Sequence, residues 1–216
     1  MNMLTDITEW IVRIPVLLFA ITIHEYSHGK AALSLGDPTA QRAGRLTMNP
    51  LSHIDPIGAI CLFLFNFGWA KPVPVNIRYF KNIRRDTILM ALSGPVANLA
   101  AAFVTGIFLR FYFIPNEIYL KVLFYLLIMN LGLGLFNLIP IPPLDGSHVL
   151  ENLLHGETRR KYLSFQRYGP FFLLGIILLE NVTHIGIFNF ILGVPMTFLA
   201  RLFGGENVYR LLGMIH

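Results

Sequence analysis

VLLFAITIHEYSHGK, residues 16–30, decides the reading of this chain: it sets His24, Glu25 and His28 at the end of an apolar run long enough to enter a membrane. Imidazoles four residues apart on a helix share one face, a spacing that suits a zinc ion. The acid between them, Glu25, is placed to handle protons of metal-bound water. Ionisable groups are expensive inside a bilayer and are seldom kept there without a task. The stretch therefore implies metal-dependent hydrolysis inside a membrane or at its edge.

Composition agrees with a membrane setting. Of 216 residues 55% are hydrophobic and only 13% are charged, about half the charged share of a soluble domain. Long apolar runs alternate with short basic segments. The formal charge of +5 gives no argument for nucleic acid, because the basic residues fall between apolar runs, where they orient a membrane chain. A single cysteine, Cys61, excludes an intrachain disulfide framework and reads as a small packed hydrophobe. The first apolar run has no basic region before it and no small-residue cleavage site, so it is expected to be retained.

The rest of the chain reads as a succession of membrane segments. Residues 7–30 form the first helix, with Pro15 inside it and Gly29 near its fraying end. Residues 37–55 are turn-rich. The apolar run 57–70 has 14 residues, short of the roughly 20 that a helical crossing needs. Lys71-Pro72-Val73-Pro74-Val75 reads as extended chain, because each proline biases its predecessor away from helix. Residues 87–109 and 118–139 are crossings, 145–167 is a polar loop, and 169–180 and 185–200 are two short apolar runs with a turn near Thr183-His184, either tilted crossings or a shallow hairpin. The expected fold is an all-α polytopic membrane protein, a helical bundle with a re-entrant or extended segment between its first two core helices. Residues 1–216 are expected to form one domain, with core motifs over 16–151 and C-terminal helices over 168–203.

Charge and chemistry together constrain the topology. The most basic loops hold Lys30, Arg42 and Arg45, then Lys71 to Arg85, then Arg159 to Arg167. The positive-inside rule puts all three on the cytoplasmic side, which requires residues 57–70 to dip in and return. Such a segment is tolerable where protein or a wet cavity shields its backbone. If it crossed fully, Asp145 and the histidines would lie at opposite membrane surfaces, and metal–ligand bonds of about 2 Å cannot bridge that gap.

A catalytic zinc site needs a third protein ligand beside His24 and His28 and leaves one position open for water. The distant candidates are Asp145, His148, His53, Asp55 and His184. Asp145 stands out because Pro140, Pro142 and Pro143 stop the preceding helix and fix a turn near the membrane surface; a helix cap is the structural alternative. His53, Asp55 and His148 are candidates for the mouth of the site, or plain loop and surface residues. His155, His184 and His216 read as loop or terminal residues. Gly94 permits close helix contact, and Asn98 needs a partner within the bilayer. Asn98 and Asn137 either donate to a substrate or an oxyanion, or bond between helices.

Taken together, these residues resemble the site-2 protease family of intramembrane zinc metalloproteases, in its small prokaryotic branch without a PDZ domain. The likeness rests on His24, Glu25 and His28; on Gly94 and Asn98 as Gly-x-x-x-Asn; on Asn137 and Pro140 as Asn-x-x-Pro; and on Leu144-Asp145-Gly146. Residues 44–50, 53–56 and 68–76 also look like this branch. The resemblance implies one zinc ion held by His24, His28 and Asp145, with Glu25 as the acid–base. It also implies cleavage of single-pass membrane substrates by a multi-pass protein of the inner (cytoplasmic) membrane, its site toward the cytoplasm, as in regulated intramembrane proteolysis. A metal or ion transporter, or an inactive zinc-binding scaffold, is the alternative. A transporter would spread its ligands along a route, often with internal repeats, and none is visible in this sequence. No feature of the sequence specifies an oligomeric state.

Overall fold

The computed structural model describes residues 3–65, 68–112, 114–183 and 186–208. Its helices are α1 (Met3–Ser34), α2 (Thr39–Arg42), α3 (Pro56–Phe65), α4 (Ile83–Phe111), α5 (Glu117–Asn137), α6 (Asp145–Leu153), α7 (Gly156–Gln166), α8 (Gly169–Thr183) and α9 (Ile187–Gly204). Strand pairing among the described residues is limited to one isolated antiparallel bridge, Ile54 to Ala70. Residues 9–34 of α1, and α4, α5 and α9, are long and apolar enough to cross a membrane. The chain is an all-α polytopic membrane protein.

α4 is the hub, packing against α1, α5, α6 and α9. Its start is fixed by a reciprocal cap: the Asn82 side chain accepts from Arg85 N–H at 3.1 Å, while Asp86 accepts from Asn82 N–H at 2.9 Å. Between α1, α4, α5 and α9 lies a core of Val16, Ala102, Leu109, Leu127, Leu131 and Ala200. A smaller cluster joins Leu144 to Leu173 and Ile177, so α8 packs over the proline turn that follows α5.

The segment between α1 and α4 leaves and returns to the same place. Ile54 pairs with Ala70, and Lys71 N–H donates to His53 O at 2.9 Å. Gly58 backs directly onto Trp69, where an added Cβ would lie 3.0 Å from the Trp69 backbone nitrogen. A run whose two ends meet in this way does not carry the chain across a bilayer, as its shortness implies.

Two boundaries differ from the sequence reading. α1 continues through Gly29 to Ser34, and residues 145–167 fold as α6 and α7 instead of a polar loop. Their polar composition reflects how they are held. Glu151 on α6 pairs with Arg159 on α7 at 2.7 Å and accepts from Gln166 at 2.9 Å, and Tyr162 O–H donates to Pro140 O at 3.1 Å. At the C-terminal end α9 has spanning length by itself, whereas α7 and α8 reach it only together, as a pair bent by 59°.

Candidate metal centre

α1 presents His24 and His28 one turn apart, both buried. The orientation of each ring follows from its Nδ1. His28 Nδ1 faces Met90 O at 2.8 Å and His24 Nδ1 faces Asn98 Oδ1 at 2.6 Å. The Asn98 amide is oriented without ambiguity, because its Nδ2 donates to the backbone carbonyl of Ala20 at 2.9 Å and its oxygen therefore turns to His24. Both Nδ1 atoms thus face acceptors and carry protons. In the neutral rings Nε2 is left as a lone pair.

Those two Nε2 atoms lie 3.1 Å apart, and Asp145 Oδ2, from the first turn of α6, lies 3.1 Å from His24 Nε2 and 3.3 Å from His28 Nε2. Three acceptors converging on one point repel unless a cation sits among them. Asp145 Oδ2 is itself buried without a hydrogen-bond partner, an orphaned carboxylate oxygen that a cation at this point would satisfy. Ligands bound tetrahedrally at about 2.0 Å are separated by about 3.3 Å, so the spacings observed fit one metal ion. Among the described residues this is the one group of three such side chains near enough to one another to share a metal.

Gly94 makes the site compact. A Cβ there would run into His28 Nε2 and lie 2.8 Å from His24 Cε1, so α4 closes against the imidazole pair only with glycine at this position. Glu25, on the same helix, has its Oε2 held by Val73 N–H at 2.9 Å.

The remaining sequence candidates take other places. Asn98 has its oxygen on His24 and its nitrogen on Ala20 and Asn130, so it is an interhelical link with nothing left for an oxyanion. Asn137 donates to Leu133 O in its own helix at 3.0 Å. Pro140 is exposed at the turn between α5 and α6. His53 is buried and bonds to Thr47 O at 2.9 Å, and Asp55 caps α3 through the Ile57 and Gly58 N–H groups. His148 is exposed on α6. None of these three joins the cluster. His184 and His216 lie outside the described residues.

The sequence reading missed Asn130. It is fully buried on α5, its Oδ1 accepts from Asn98 Nδ2 at 2.9 Å, and its own Nδ2 is spent on Leu126 O at 2.8 Å. A continuous chain of hydrogen bonds thus runs from α5 through α4 to His24 on α1. The signal was available: a lone asparagine in an otherwise apolar crossing needs a partner.

A bundle of spanning helices that buries a His–His–Asp cluster defines a membrane metallopeptidase class, and the comparisons with known proteins agree. Residues 113–179 match the family model for Peptidase family M50. YwhC of Bacillus subtilis, named as a zinc metalloprotease, is 40% identical over 162 residues, which is 71% of this chain and 74% of that protein. Rip2 of Mycobacterium tuberculosis (strain H37Rv) and Rip2 of Mycolicibacterium smegmatis, also named as zinc metalloproteases, are 32% and 28% identical over 168 residues. Those alignments cover 74% and 75% of this chain but 64% of each Rip2. No solved structure matches. The chain belongs to the zinc metalloproteases of peptidase family M50.

Proposed function

We propose that the chain is a zinc-dependent intramembrane endopeptidase, in which His24, His28 and Asp145 hold one zinc ion and Glu25 is the acid–base. The observation that carries this is the meeting of the two Nε2 atoms and Asp145 Oδ2 within 3.3 Å, with Glu25 next to His24 on the same helix. Zinc, when bound, supplies a Lewis acid that polarises a carbonyl and lowers the pKa of water to about 7. Glu25 takes a proton from the attacking water and gives it to the leaving amine. Asn98 keeps His24 in the tautomer that leaves Nε2 free, and Met90 O does the same for His28. Gly94 keeps α4 closed over the pair.

The substrates are single-pass membrane proteins. A peptide bond in a helix is shielded by its own hydrogen bonds, so a substrate segment must unwind before its carbonyl is exposed, and Gly or Pro in that segment eases this step. Residues 1–216 act as one membrane-embedded domain of the inner membrane, with the site toward the cytoplasm. The basic loops around Lys30 to Arg45, Lys71 to Arg85 and Arg159 to Arg167 support that orientation, as does the return of residues 54–70 to their starting point. Purified native protein and Glu25→Gln decide the matter. Glu25→Gln is expected to keep zinc and to lose about 10²–10⁴-fold in cleavage of a single-span peptide. A variant that keeps both zinc and cleavage overturns the role of Glu25.

A further inference from the structure

The stretch from Lys71 to Asn76 is tied down by its backbone, from three separate elements. Arg45 Nη2 donates to Lys71 O at 2.9 Å, Val73 N–H donates to Glu25 Oε2 at 2.9 Å, and Asn76 N–H donates to Asp37 Oδ2 at 2.6 Å. Asp37 is fully buried just beyond the end of α1, and its other oxygen is occupied by Thr39. Pro72 and Pro74 flank Val73 and have no N–H of their own. Val73 is therefore the one donor among these three consecutive residues, and the rings on either side stiffen the backbone that carries it.

The side chain of Val73 supplies an independent fix. It is buried, and it rests on α1 at Gly29, one turn beyond Glu25; a Cβ at Gly29 would press on Val73 Cγ1 at 3.1 Å. Seating the side chain there delivers the Val73 N–H to the Glu25 carboxylate. An exposed glutamate samples many rotamers. This one has Oε2 pinned by the N–H of a braced backbone, which fixes where its other oxygen, Oε1, points.

We infer that the backbone N–H of Val73 is a positioning group for Glu25, and that the 71–76 strap, held by Arg45 and Asp37, sets the orientation of the acid–base. The inference rests on Glu25 having that role. It assigns the strap a task inside the machinery, distinct from any contact the strap makes with substrate.

The direct test removes the N–H alone. Replacing Val73 by its α-hydroxy acid analogue turns the amide into an ester and keeps the side chain. With a single-span model peptide that native protein cleaves, kcat is expected to fall about tenfold or more, while KM and zinc content stay at native values. Asp37→Ala, which frees the far end of the strap, is expected to lower kcat by a smaller factor with zinc retained. An ester variant with kcat within twofold of native overturns the inference. So does an effect carried by KM, which makes the strap a substrate-holding element, or by loss of zinc, which makes it structural. Glu25→Gln measured alongside separates the two levels: if it cleaves normally, the acid–base role itself fails; if it is inactive while the ester is normal, only the strap's role fails.

Discussion

α5 and α9 are both apolar helices of spanning length, but they stand in opposite relations to the chemistry. α5 buries 44% of its most apolar stretch against the rest of the chain and α9 buries 11%. α5 carries the fully buried Asn130 into the bundle, whereas the buried residues of α9 are Ala200 and Gly204. Hydrophobicity alone does not tell these helices apart. The difference lies in whether a polar group is brought inside and satisfied there, since an unpaired one in an apolar interior costs several kcal/mol. Two of the buried polar groups of α4 and α5, Asn98 and Asn130, bond to each other and lead to His24 of the His–His–Asp cluster.

That contrast is sharpened by substitution. Asp145→Ala removes a ligand and should abolish zinc retention and cleavage together. Its loss should exceed the roughly 10–100-fold in metal affinity that follows when an outer hydrogen-bond partner of a ligand is removed. Gly94→Ala should come next, because its new Cβ has to displace His28 or push α4 away; competition with a zinc chelator reads the weaker binding. Asn130→Leu should weaken zinc by a factor toward the lower end of about 10–100, since Asn98 keeps its bond to Ala20 but loses the one that braces it from α5. Phe198→Ala on the exposed side of α9 should change stability by no more than about 0.5 kcal/mol and leave zinc affinity unchanged. An α9 substitution that weakened zinc as much as Asn130→Leu would remove the distinction between the two helices.

The two halves of the site differed in how readily they could be read from sequence. His24 and His28 were legible because ligands one turn apart need only a helix to bring them together. Asp145 was legible less directly: the prolines before it fix a turn, and the topology had to return it to the histidines' side. Asn130 is legible as a group that needs a partner, but its partner, like the tethers at Arg45 and Asp37, is not, because each acts across a long sequence separation and none has a local spacing that marks its partner. The sequence marks Asn98 as needing a partner but not its role, since only the bonds it makes distinguish a substrate donor from an interhelical link. Residues 145–167 have the composition of a polar loop, but their charges pair between α6 and α7 through Glu151 and Arg159.

Zinc X-ray absorption on the purified full chain, native and Asp145→Ala, tests the metal centre most directly. Native protein should hold one zinc per chain in a nitrogen and oxygen shell at about 2.0–2.2 Å with two imidazoles, and Asp145→Ala should lose that signal. A native protein that binds no zinc, a sulfur ligand in the shell, or a spectrum unchanged by Asp145→Ala would contradict it.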